Sequence, residues 1–253
     1  MRADGRTEST ASTRPVRPGG ADSAGASRPA LTLFDSSSCD RILIVGAGGF
    51  GRELWHWLQA ADGAVPARVA GFLDRDPRRL DGKGLDRPVL GDPATFQPAA
   101  GDGFLLAIGI PGVRRAVASD LLSRGGRLVS FVHPTALVAP TARVGAGTII
   151  CPLAIVSDAV TLGRGTLVNY HASLGHDAAT GDFCVLSPNA ALGGHARLDD
   201  DVFLGLSASV GPGKRIGARS KVAANSAALA DVPADTLVVG VPGRCSPLVD
   251  LSP

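Results

Sequence analysis

The chain has 253 residues, enough for one large domain or two small ones. Apolar residues make up 45% of it and mean hydropathy is +0.19, so a core can form, yet no apolar run approaches membrane-spanning length. A net charge of +2, with Lys83, Lys214 and Lys221 as its only lysines and no basic stripe, gives no nucleic-acid surface. The four cysteines, Cys39, Cys151, Cys184 and Cys245, form no CxxC. They provide neither a disulfide framework nor a zinc cluster, and a reducing cytoplasm is the expected compartment. Aromatics are only 4% while glycine reaches 33 residues, which suits a thin core of small and branched aliphatic side chains.

Residues 1–39, rich in Arg, Ser, Ala, Gly and Pro, read as a disordered leader without the apolar stretch of a signal peptide. Order is expected from Arg41, where Ile42, Leu43, Ile44 and Val45 run as a strand buried on both faces. Gly46-Ala47-Gly48-Gly49-Phe50-Gly51 follows as a GxGxxG, then a helix with Phe50, Leu54, Trp57, Leu58 and Ala61 on one face. Further strands are predicted at 69–73, ending at Asp74, and at 104–108, with a helix from about 113 to 122 and a closing segment at 128–132. Strands alternating with helices imply a small Rossmann-like parallel α/β domain over residues 40–132.

Beyond it the period becomes six. From Val132 through Val138, Val144 and Ile150 to Val222, fifteen of the sixteen positions are Val, Leu or Ile, with Thr180 the exception. The next position is often glycine, as at Gly145, Gly163, Gly175 and Gly193, which suggests a corner needing positive φ. Such hexads predict a parallel β-helix of five 18-residue coils over residues 133–228. Its open ends need covers, the α/β domain for the first coil and residues 229–253 for the last.

Residues 18 apart stack about 4.8 Å apart. This places Gly194 over His176 and His195 over Asp177, in a stretch running from Asn169 through His171. Histidine beside a carboxylate is the arrangement of a general base. His56 and His133 read as structural. The glycine loop offers N–H groups and a helix start to phosphate, and Asp74 a carboxylate to a ribose or base. A domain of this size fits a mononucleotide or nucleotide sugar better than a dinucleotide.

With these motifs and the terminal Val239-Gly240-Val241-Pro242, the chain resembles the bacterial nucleotide-sugar acetyltransferases of the NeuD/PglD type over about residues 40–245. The resemblance implies a left-handed β-helix, acetyl-CoA as co-substrate without a metal, a nucleotide-sugar acceptor, and a homotrimer with active sites between subunits. It implies His176 as the base, Asp177 as its acidic helper and Asn169 near the acceptor. Gly49, Phe50, Gly51, Asp74 and Gly91 would contact the nucleotide sugar, and Gly194 and Leu206 acetyl-CoA. Three positions depart from the family's pattern. Val185 stands where a second histidine is common, Ala224 replaces a glycine, and Phe50 a histidine. The amine of an amino sugar is the expected acceptor, with a sugar hydroxyl as the alternative. Two further alternatives are a nucleotide-sugar-binding trimer without transfer and a zinc protein. The latter follows from the spacing of His171 and His176, which is similar to γ-class carbonic anhydrases, although their third ligand would fall near Thr135.

Overall fold

The computed structural model describes residues 39–59 and 68–248. The expected leader, apart from Cys39, and Ala61 of the first helix lie outside the described residues. Among those described, no helix is long and apolar enough to cross a membrane.

The first domain contains β1 (Arg41–Val45), α1 (Gly49–Gln59), β2 (Val69–Leu73), β3 (Val89–Gly91), β4 (Asp102–Leu106), α2 (Pro111–Ser123) and β5 (Arg127–Leu128). The strands form one parallel sheet in the order β3-β2-β1-β4-β5. Ile42 through Val45 are fully buried because helices cover both faces of the sheet. Residues Leu54, Trp55 and Leu58 of α1 pack on one face, and Ala118 and Leu121 of α2 on the other. The buried stripe of α1 is Gly51, Leu54, Trp55 and Leu58, so Trp55 takes the core place expected of Trp57. Spacings of three and four from Gly51 set that stripe.

The second domain is a left-handed parallel β-helix. Its two-residue strands recur every six residues, and those 18 apart pair in parallel, as Ser173 with Ala191 and Leu174 with Leu192. Five complete coils run from Leu137 to Val222. The inward side chains, among them Ile150, Val156, Val168, Leu174, Leu186 and Leu204, form the thin core.

The corners differ from expectation. Positive φ falls three positions after the inward aliphatic residue, at all fourteen positions from Gly147 to Asn225, with values between 54° and 75°. Only Gly147, Gly165 and Gly213 among them are glycines, although a side chain in this conformation costs ~1–2 kcal/mol. From Leu153 onward each such residue donates its N–H to the preceding coil, as His195 to His176 O at 2.9 Å and Asp177 to Asp158 O at 3.0 Å. The glycine immediately after the aliphatic residue serves close approach instead. A Cβ on Gly163 would lie 2.2 Å from Gly181 O.

The three outer faces have distinct characters. Phe131, Ile149, Leu167 and Val185 are buried, joining Trp55 and Leu58 of α1 in one apolar cluster. The α/β domain therefore docks along the side of the β-helix rather than over its first coil, and Val138 and Val144 at that end are only partly buried. Strand Phe131–Val132, expected to close the first domain, already pairs with Ile149–Ile150 as part of the β-helix. The second face carries Arg143, Thr161, Ala179, Arg197 and Arg215. The third carries Leu137, Ile155, Ser173, Ala191, Ser209 and Ala227, with Leu137 and Ile155 exposed. At the far end, Thr236–Val239 stacks in parallel on Lys221–Val222 and pairs antiparallel with Arg244–Pro247.

Gly163→Ala is expected to destabilise the β-helix by about 1–3 kcal/mol, because backbone must move. Ala159→Gly, at an exposed corner with φ 55°, is expected to leave stability unchanged or raise it by up to ~1 kcal/mol. Urea unfolding of the two variants checks both signs.

Candidate active site

A cleft of about 740 Å³ opens at the carboxyl ends of β1 and β2. It lies where the strand order reverses between β1 and β4, the usual ligand crevice of an open parallel sheet. Val45, Gly46, Leu73 and Asp74 form one side, and Gly112, Val113, Ala116, Val117 and Asp120 of α2 the other. Arg75, Asp92, Pro93, Ala94 and Ile108 complete its lining.

Close packing shapes the glycine loop. A Cβ on Gly51 would stand 1.9 Å from Gly46 O, and one on Gly46 2.8 Å from Ala107 O, so these two glycines seat α1 against β1 and β4. Gly48 faces open space. Asp74 accepts from Ala47 N–H at 2.8 Å and from Asp76 N–H at 3.0 Å, which uses both carboxylate oxygens to hold the loop. Its own N–H donates to Gly91 O at 2.9 Å. Of the five residues expected at the nucleotide sugar, Asp74 lines the cleft, and Gly49, Phe50, Gly51 and Gly91 do not. Phe50 instead begins an aromatic row, edge-on to Trp57 at 6.1 Å, which in turn meets His133 at 6.1 Å. His133 is therefore a packed residue whose pKa burial lowers.

The histidine cluster forms on a corner of the β-helix. His176 donates from Nδ1 to Asp177 Oδ2 at 2.9 Å. The hydrogen bond from His176 is the main cause that lowers the Asp177 pKa, so its carboxylate is ionised at neutral pH. In the neutral imidazole, a proton on Nδ1 leaves Nε2 with its lone pair free to act as a base. Gly194 sits against this nitrogen, and a Cβ there would lie 2.7 Å from Nε2. His195 approaches the same carboxylate oxygen at 3.7 Å, its ring perpendicular to that of His176 with centroids 5.0 Å apart. Asp177 and His195 both occupy left-handed corner positions, which stacks them on successive coils.

The remaining candidates stand at a different corner. Asn169, His171 and Leu206 lie on the edge where strand Leu167–Val168 or Phe203–Leu204 turns into the next strand. His176, Asp177, Gly194 and His195 lie on the opposite edge of the small-residue face. Within one protomer the single stretch read from sequence thus divides into two edges. Asn169 spends Oδ1 on the N–H of Tyr170 at 2.8 Å.

Residues 41–121 match the PglD N-terminal domain. A similar solved structure is a histidine-to-asparagine mutant of perosamine N-acetyltransferase from Caulobacter crescentus, in complex with CoA and GDP-perosamine. It is 28% identical over 86% of this chain and 99% of that one, with a TM-score of 0.73. The acetyltransferase domain of PglB from Neisseria gonorrhoeae is 25% identical over 82% and 100% of the two chains, at a TM-score of 0.72. The chain is an acyltransferase built on a β-helix, with an N-terminal domain similar to that of PglD. WeeI from Acinetobacter baumannii shares the fold, at 24% identity over 81% and 99% and a TM-score of 0.71. No curated sequence is significantly similar to this chain.

In this acyltransferase Val185 is a packing residue, 2% exposed in the cluster between α1 and the β-helix. His171 and His176, the pair behind the zinc alternative, belong to different edges. The trio with metal-ligating atoms within 4.8 Å of one another is His176, Asp177 and His195. Sequence reasoning missed Arg75, Asp92, Val113 and Asp120 of the cleft. Arg75 beside Asp74, and Pro111-Gly112 opening α2, were the available signals.

Two outcomes test the corner. The Asp177 carboxyl should titrate below the ordinary range of an aspartate by carbon NMR and move back toward it in His176→Ala, because the His176 hydrogen bond is the leading cause of the shift. Gly194→Ala should rotate the His176 ring away from its place in a crystal structure, since a methyl group cannot fit 2.7 Å from Nε2.

Proposed function

We propose that the protein transfers acetyl from acetyl-CoA to the amine of a nucleotide-linked amino sugar, with His176 as general base. The observation that carries this reading is a histidine whose Nδ1 is held by an ionised carboxylate and whose Nε2 is left open above a glycine. Its setting, a β-helix joined to a domain with a nucleotide-sized cleft, supports it. So does the similarity to an enzyme crystallised with CoA and GDP-perosamine.

The acceptor amine attacks the thioester carbonyl while His176 Nε2 takes its proton, and Asp177 stabilises the imidazolium that forms. The tetrahedral intermediate carries its negative charge on the former carbonyl oxygen. Gly194 N–H, which has no acceptor among the described residues, is proposed to donate to that oxygen. Collapse expels CoA thiolate, which the imidazolium protonates. The nucleotide occupies the cleft, beside the loop that Asp74 holds.

A homotrimer completes the site in this reading. One face of the β-helix is covered by the chain's own α/β domain, and a second is rich in arginine. The third carries small residues with exposed Leu137 and Ile155, and exposed Leu153, Tyr170 and Leu206 stand along its edge. Three copies with this face turned to a common axis bring the two edges of neighbouring subunits together. Asn169 and Leu206 then meet His176 and Gly194 across a subunit boundary, where acetyl-CoA lies between them.

CoA thiol release from acetyl-CoA, measured against a panel of UDP-, GDP- and dTDP-linked sugars with and without a free amine, tests this function. Release with one sugar is expected, reduced by roughly 10²- to 10⁴-fold in His176→Ala with the assembly intact. Near-normal turnover in that variant would remove His176 from the mechanism. Release only with sugars lacking a free amine would assign the acceptor as a hydroxyl.

A further inference from the structure

Arg114 is the one arginine among the described residues whose side chain is completely buried, and the chemistry above makes no use of it. It projects from α2 into the seam between the two domains and has no carboxylate partner among the described residues. Its Nε donates to Gly165 O at 2.5 Å, and its Nη2 to Gly147 O at 3.4 Å. Its Nη1 donates to Ile108 O at 3.1 Å and to Leu106 O. Two of these carbonyls belong to corners of the β-helix, and two to the end of β4 and the loop after it. Burial lowers the Arg114 pKa to about 9, still above neutral pH, so the group remains a cation solvated by four carbonyl dipoles.

The same segment builds the cleft. Ile108, whose carbonyl Arg114 holds, lines it, as do Gly112, Val113, Ala116, Val117 and Asp120 on another side of α2. Arg115 extends the attachment along the same β-helix corner. It lies 4.6 Å from the Phe183 ring centroid, and its Nε reaches Asp201 Oδ2 at 2.7 Å. The corner positions Gly147, Gly165, Phe183 and Asp201 are 18 apart, so α2 is fastened across four successive coils. His176 and His195 belong to this same run of coils.

We propose that Arg114 is a positioning residue, which clamps the cleft wall to the β-helix and so fixes the distance from the nucleotide to His176. This rests on the proposed transfer, in which the nucleotide is held in one domain and its sugar reacts on the other. A misplacement of about 1 Å in such an arrangement costs on the order of a hundredfold in rate. Neither domain needs the guanidinium for its own core, which is apolar on both sides of the seam.

The test uses full-length Arg114→Met and Arg114→Lys beside the wild type. The wild type should unfold in a single calorimetric transition, and Arg114→Met in two, one for each domain. Lysine keeps the charge with fewer donors and should give an intermediate profile. In Arg114→Met, kcat should fall on the order of a hundredfold. The affinities for UDP, GDP and CoA, each titrated alone, should stay within about twofold, since the cleft and the catalytic corner remain intact. A single transition in both folded variants would overturn the proposal, as would a split transition with unchanged kcat. Parallel loss of nucleotide affinity would overturn it too, by making Arg114 part of the cleft. Should the methionine variant not fold, the lysine variant decides by the same criteria. A wild type that transfers to no sugar refutes the proposed function, while the calorimetric comparison still decides the clamp.

Discussion

A corner that must hold one residue at positive φ in every six is the constraint on which the rest of this structure depends. The chain turns at each corner within two residues, and the left-handed residue gives its N–H to the coil beneath. That ladder locks the register at 18 residues per coil, which in turn fixes which side chains stack. Asp177 and His195 are both such corner residues, and His176 precedes one of them. Aspartate, asparagine and histidine tolerate the left-handed region better than most side chains. The histidine corner therefore uses residue types that the turn itself accepts. The absence of a Cβ at Gly194 leaves room on the next coil for the His176 imidazole edge.

The faces of the triangular coil divide the remaining work. Large apolar residues on one face bind the α/β domain alongside the coils, which leaves the rim of the first coil only partly covered. The sheet of that domain brings three loops to one end, and the cleft forms between them and α2. Arginine marks the second face. Small residues mark the third, whose two edges carry every catalytic and CoA-contacting candidate. Within one protomer these two edges face different directions.

Much of this was legible in the sequence because buried periodicity has few interpretations. The run Ile42–Val45, the glycine loop and the sixfold aliphatic repeat each correspond to a structure with the same residues in the same places. The lateral docking had a signal too, in Phe131, Ile149, Leu167, Val185 and Phe203 recurring every 18 residues just before the inward position. It was hidden because apolar residues next to the core position look like part of the core. Corner geometry was misread because glycine there answers a close approach of backbone, while the strained position carries Leu153, Phe183 or Arg219 as readily as glycine. The cleft residues Arg75, Asp92 and Asp120 come from separate segments that only the folded sheet brings together. The division of Asn169 and His176 between two edges needed the turn between them, which spacing along the chain does not reveal.

The most direct measurement is a crystal structure of the protein with CoA and the nucleotide sugar that it acetylates. The nucleotide is expected in the cleft beside α2, CoA along the seam between two subunits, and the acceptor nitrogen about 2.6–3.2 Å from His176 Nε2. An acceptor atom directed away from His176, or a sugar bound where no β-helix corner can reach it, would contradict the account.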